Sequence, residues 1–372
     1  MTGLIRELMY ALSGAGPWIK LLVAAVVIVV SGVVVLVFAL VYEGLATYAE
    51  RKVAGDIQAR IGPNRVGPYG LLQWLADGVK LVLKEDIVPF YADRWLFLVA
   101  PYIVFTASFA AFVPLSYSEH VYIADLNVGV LYIIAISSVV SMAILMGAWG
   151  SNNKWSLFGG MRAVAQIVSY EIPIILSLLA AIIIPASLNM KSIIQYQSGG
   201  LGIFRWTVFN SPFTFLAFFV YFISSIAEVN RTPFDIPEAE SEIVAGYLTE
   251  YTGIRYAFFF MAEYGDMFVV SAIAATVFLG GWQLPFIGGV SMPVWLRDVL
   301  EAAVFFSKVF LLIYVMMWIR WTLPRLRVDQ LMELCWKYLT PIAFFNLLGA
   351  SVWLLAFHDR GIYDLIAGLF IH

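Results

Sequence analysis

Eight separated stretches of roughly 20 mostly apolar residues dominate this sequence, and no other feature constrains its fold so strongly. They run approximately over 21–42, 96–116, 128–148, 163–186, 213–227, 257–280, 301–321 and 338–357. A hydrocarbon core about 30 Å thick takes about 20 residues of helix, and a backbone inside lipid must satisfy its own hydrogen bonds. The chain is therefore expected to be an all-α polytopic membrane protein with about eight transmembrane helices. The first stretch is too long, and too far from a small-residue cleavage site, for a removable signal peptide. Composition agrees: 62% of the 372 residues are apolar and 13% are charged, against roughly 25% charged in a soluble domain. No repeat, low-complexity tract or linker divides the chain, so residues 1–372 are expected to form a single integral membrane domain.

The distribution of basic residues orients it. Fifteen of the 22 Lys+Arg fall after the first, third, fifth and seventh stretches. By the positive-inside rule these loops should face the cytoplasm and both termini the opposite side. The first of them is the longest. Within 71–84, Leu72, Leu75, Val79 and Val82 recur at helical spacing, while Gln73, Asp77, Lys80 and Lys84 fall on another face. Too short to span, this segment is expected to be an amphipathic helix lying in the membrane interface.

Five ionisable residues lie where lipid should be: Glu43, Glu171, Glu263, Asp266 and Lys308. The four acids sit eight to eleven residues from Arg51, Arg162 or Arg255, hence roughly 12–17 Å inside the cytoplasmic edge. Each charge near the bilayer centre costs about 2.5–3.5 kcal/mol. They are therefore expected to face the bundle interior as a buried polar layer that conducts protons or ions. Pro173, two residues after Glu171, is expected to bend its helix there.

The segment 228–255 is the second anomaly. Glu228, Asp235, Glu238, Glu240, Glu242 and Glu250 face only Arg231 and Arg255, a net charge of −4 in a chain whose total is −3. Mutual repulsion raises carboxylate pKa values, a condition for proton exchange near neutral pH. Thr232-Pro233-Phe234 and Ile236-Pro237 restrict this loop, and Ile243-Val244-Ala245 calls for burial. The sequence contains no Walker loop, dinucleotide fingerprint or HExxH motif. Cys335 is the lone cysteine, and His120, His358 and His372 are scattered, so iron–sulfur, haem and zinc centres are not expected on this chain. The overall charge balance gives no basic stripe for nucleic acid.

Four blocks carry a resemblance: "ERKVAGDIQARIGPNRVGPYGLLQWLADGVKLVLKED", "GGMRAVAQIVSYEIP", "EVNRTPFDIPEAESEIVAGYLTEYTG" and "RWTLPRLRVDQLMELCWK". They resemble the membrane-embedded quinone-site member of respiratory complex I, the NADH:quinone oxidoreductase, and are similar to mitochondrial NADH dehydrogenase subunit 1. That resemblance implies eight helices with both termini on the non-cytoplasmic face, in a bacterial plasma (inner) membrane. It implies that Glu43, Arg51, Lys52, Arg60 and Arg65 border the quinone passage and that Glu171 belongs to a buried proton route. Glu228, Asp235, Glu238, Glu240 and Glu242 should form an acidic coupling loop, with Glu263 and Asp266 continuing the polar path. Quinone is then the substrate, with iron–sulfur clusters and flavin on partner subunits and no cofactor bound by this chain alone. The expected partners are the peripheral-arm quinone-module subunits, neighbouring membrane subunits, quinone and lipid. Related hydrogenase, ferredoxin-linked and F420-linked complexes share the acidic loop in looser form. A proton-coupled secondary transporter is the rival class, but the inverted repeat typical of such folds is not found.

Overall fold

A computed structural model describes residues 17–198, 202–237, 240–284 and 293–357; for Pro17, Lys20, Glu240 and Ser241 only the backbone is described. All eight apolar stretches are mostly helical, although the helix of the second ends at Ala110, short of 111–116. They correspond to α1 (Pro17–Ile57), α3 (Arg94–Ala110), α4 (Gly129–Gly150), α5 (Lys154–Ile182), α8 (Pro212–Glu228), α10 (Gly253–Phe278), α11 (Val294–Thr322) and α13 (Thr340–Phe357). Shorter helices connect them: α2 (Gln73–Leu83), α6 (Met190–Tyr196), α7 (Thr207–Asn210), α9 (Glu240–Ile243) and α12 (Val328–Glu333). A π-helical turn, Leu334–Leu339, joins α12 to α13. Among the described residues, six helices are long and apolar enough to cross a membrane, whereas α3 and α8 have 17 residues each, about 25 Å of rise. The chain is thus an all-α polytopic membrane protein.

Three helices run well past their apolar stretches. α1 has 41 residues, about 60 Å, so its last turns extend beyond any bilayer. α5 starts nine residues before its apolar stretch and α11 seven before. Charges end a hydropathy run without ending a helix when they find partners. Arg162 Nη1 pairs with Glu242 at 2.6 Å, and Arg297 pairs with Glu301 at 2.8 Å and Glu119 at 3.1 Å. Pro173 lies within α5, whose helix continues unbroken to Ile182.

The loops after α1, α4, α8 and α11 meet at one end of the bundle. Arg255 pairs with Asp86 at 2.7 Å, Arg325 with Asp235 at 2.9 Å, and Leu326 N donates to Pro233 O at 3.0 Å. Glu119, His120, Arg297, Asp298 and Glu301 gather at the other end. The sequence-derived alternation of helix direction thus holds for the described residues. α10 is the most enclosed helix, buried over almost all of its last two-thirds, and packs against α1, α3, α8 and α11. α1 keeps a narrow inward stripe, Val35, Ala39, Tyr42, Glu43, Ala46, Glu50 and Ala54, and exposes the apolar remainder.

Candidate functional site

The acidic loop is held on α5 by contacts that only small or amide side chains permit. Gly246 has φ +54, and a Cβ there would run into Pro237 O; a Cβ on Gly159 would run into Gly246 Cα. The two backbones touch because neither residue has a side chain. Two turns further along α5, the buried Gln166 amide nitrogen is 2.8 Å from Ala227 O and 2.7 Å from Phe234 O. Of Ile243-Val244-Ala245, Ile243 is buried, Ala245 is half-buried and Val244 is exposed. Only Ile243 anchors the loop, because Val244 takes a left-handed φ of 64° that turns the chain outward.

Under the loop lies an ionic hub. Glu50, 5% exposed, accepts from Tyr264 Oη at 2.6 Å, from Arg231 Nη1 at 3.3 Å and from Arg320 Nη1. Arg231 also stacks on the Tyr264 ring at 4.1 Å. Burial works against the Arg231 charge, but Tyr264, Glu50 and Glu263 outweigh it and hold the guanidinium above its ordinary pKa. Burial pushes the Asp235 carboxyl up, against the opposing pull of Arg325, Arg320 and Arg231. Neither Glu50 nor Gln166 stands out in the sequence. Glu50 lies beside Arg51 and Lys52, like a solvated helix end, yet it falls seven residues after Glu43 on the same small-residue stripe, which is the signal that marks it.

Below the hub the carboxylates line up toward the bundle centre. Tyr247 Oη donates to Glu263 at 3.2 Å, Ser108 Oγ to Asp266 at 2.7 Å and Ser138 Oγ to Glu171 at 2.7 Å, while Ser137 hydrogen-bonds Glu228. Two cavities adjoin Glu228, Glu263 and Asp266. One of about 20 Å³ is lined by Glu228, Asn230, Tyr247, Glu263 and Asp266; one of about 50 Å³ is lined by Ser108, Ser137, Tyr221, Glu228 and Asp266. Each exceeds the roughly 10–15 Å³ that a water needs, and Glu228 and Asp266 belong to both.

The structure distributes the sequence-derived residues over distinct places. Glu228, Glu263 and Asp266 line the cavities, Glu171 is held by Ser138, and Glu43 is buried beside Asp266. Lys308 Nζ donates to Leu279 O at 2.7 Å and Gly281 O at 2.8 Å and lies 4.3 Å over Trp206, capping the end of α10. Glu238 lies outside the described residues, as does the side chain of Glu240, while Glu242 reaches Arg162. Arg51, in the last turns of α1, and Arg60 and Arg65, in the loop after it, are exposed, and Lys52 is half-buried over Tyr48.

The amphipathic segment is helical over Gln73–Leu83, with Leu72, Leu75, Val79 and Val82 exposed. Trp74 packs on Gly44 of α1, and Asp77 accepts from Arg51 at 2.6 Å and Gln73 at 3.2 Å. Partial burial raises the Asp77 carboxyl, but Arg51, Gln73 and Lys80 outweigh it and hold it below the usual carboxylate range. One face of α2 is therefore fixed to α1 and the other is an apolar wall.

Residues 29–351 match the model of the NADH dehydrogenase family. The chain is 50% identical to the H subunit of the NADH-quinone oxidoreductase of Chlorobaculum tepidum over 331 residues, covering 87% of this chain and 90% of that protein. It is 48% identical to the corresponding protein of Chlorobium luteolum over 353 residues, 93% of each, and 44% identical to that of Bacteroides fragilis over 320 residues, 86% and 88%. The chain belongs to the NADH dehydrogenase family.

Proposed function

We propose that this member of the NADH dehydrogenase family is the membrane subunit of a proton-translocating NADH:quinone oxidoreductase. In that role it forms the quinone passage and converts quinone reduction into proton movement. The observation that carries this reading is the set of inward-facing polar groups beneath the ion-paired loops: the Glu50 hub, and Glu263, Asp266 and Glu228 around two water-sized cavities. A stand-alone anchor gives those groups no use. Quinone enters sideways along the apolar face of α2, its tail in lipid and its head group directed toward the loop after α1. Arg51, Arg60 and Arg65 supply positive charge there, which stabilises a quinone anion more than neutral quinone.

Electrons arrive from iron–sulfur and flavin centres on partner subunits. Negative charge at the quinone head group, or protons drawn from nearby donors, changes the field on the acidic loop. A unit charge about 4 Å away is worth about 4 kcal/mol at an effective dielectric of 20, sufficient to reload a carboxylate. The loops that carry Ile61, Tyr69, Phe90 and Tyr91, all at least 80% exposed, are the docking surface for the peripheral arm. We assign eight transmembrane helices, both termini on the non-cytoplasmic face, a single domain and residence in the bacterial plasma membrane.

Mild detergent extraction followed by affinity capture of this chain tests the assignment. A large assembly containing iron–sulfur proteins and reducing quinone from NADH is expected; recovery of the chain as a monomer or homodimer would overturn it.

A further inference from the structure

We infer that Glu43 and Asp266 form a carboxyl pair that holds one proton between α1 and α10, a reserve beside the main line of carboxylates. This rests on the proton-translocating role proposed above and adds a branch to it. Glu43 is 2% exposed, and neither of its carboxylate oxygens has a hydrogen-bond partner among the described residues. Burying an unpaired carboxylate is far costlier than burying a carboxylic acid. Its charge would act directly on Asp266, and two neighbouring carboxylates resist being ionised together.

Gly265 supplies the space between them. A Cβ at Gly265 would lie 2.8 Å from Ser108 Oγ and 3.3 Å from Glu43 Oε1, so both atoms look onto one gap that glycine leaves open. Ser108 fits both protonation states of the pair. Its hydroxyl has one proton and two acceptors, Asp266 Oδ1 at 2.7 Å and Ala262 O at 3.1 Å. When Asp266 is ionised, Ser108 donates to it; when Asp266 carries the proton, Ser108 turns to Ala262 O and accepts from the acid.

The other groups facing the pair are Tyr42 on α1, Glu263 and Tyr264 on α10, Glu228 on α8 and Glu171 on α5, with the nearest positive charge, Arg231, engaged by Glu50. No cation in this set neutralises Glu43, so a proton must. Asp266 and Glu228 line the same two cavities. The shared proton moves from Glu43 to Asp266 and on through them to an ionised Glu228, after which one proton arriving past Glu263 refills the pair; each transfer moves one proton.

Infrared difference spectra of the assembled complex, oxidised against NADH-reduced, test this through the deuterium-sensitive carbonyl band of a protonated carboxyl. Glu43→Gln and Asp266→Asn are each expected to abolish the same band. Gly265→Ala, which keeps both acids but fills the gap, is expected to shift it; this variant decides the matter if either of the first two fails to assemble. A wild-type spectrum without such a band, separate bands for the two variants, or persistence of the band in Glu43→Gln would overturn the pair. A band that moves when sodium replaces potassium would overturn it too, in favour of a cation site. Proton pumping measured on the same wild-type preparation separates failure of the pair from failure of the translocating role.

Discussion

Replacing Glu50 by alanine strands Arg231, 3% exposed, without the carboxylate that shares its charge. Breaking a buried ion pair from one side costs about 3–5 kcal/mol. Glu50→Ala is therefore expected to lower the yield and thermal stability of the assembled complex, read by native electrophoresis and a melting curve. Glu50→Gln keeps an acceptor for Tyr264 and the arginines and should cost less; equal loss in the two variants would deny the acceptor any part in holding the hub. Glu43, Glu171, Glu263 and Asp266 were legible as inward-facing because apolar neighbours surround them in the sequence, although only Glu43 is fully buried. Glu50 and Gln166 were not, since each lies in a helical segment already rich in polar residues, and only the packed loop shows which face turns inward. Lys308 was legible as buried, but its partners were not, because they are backbone carbonyls that carry no side-chain signal.

At the level of elements, α2 carries two expectations. A tryptophan at Val79, 58% exposed on the apolar face, is expected to slow turnover with long-chain quinone several-fold more than with a short-chain analogue. Equal inhibition of both would leave α2 a docking role only. The second concerns its attachment through Asp77, whose folded-state pKa lies below the unfolded value of about 3.9. Such a carboxylate stabilises above the unfolded pKa, and the stabilisation is lost as pH falls through the lower folded value. The protection of α2 amides, relative to their intrinsic exchange rates, should thus be unchanged between pH 8 and about 5 and fall below about 4, and Asp77→Asn should remove that acid step. The helix was legible from its period; its tether was not, because Arg51 lies 26 residues away. Helix ends were the least legible feature, since hydropathy stops at the first charge and helices α1, α5 and α11 do not.

Across the whole molecule, ion pairs gather the four basic loops at one end and leave a column of carboxylates descending from it. That alternation predicts that cysteines placed at Asn152 and Ser198, both exposed, label from opposite sides of the membrane in a Cys335-free background. Labelling of both from one side would refute the eight-helix topology. The column reaches the bundle centre through Glu228, which lines both cavities. The most direct measurement is therefore proton pumping and quinone reduction followed together in sealed vesicles carrying Glu228→Gln. Both should fall together by at least about tenfold, while NADH oxidation by a hydrophilic acceptor upstream stays near the wild-type rate. Pumping and quinone reduction that both continue at the wild-type rate would contradict the account.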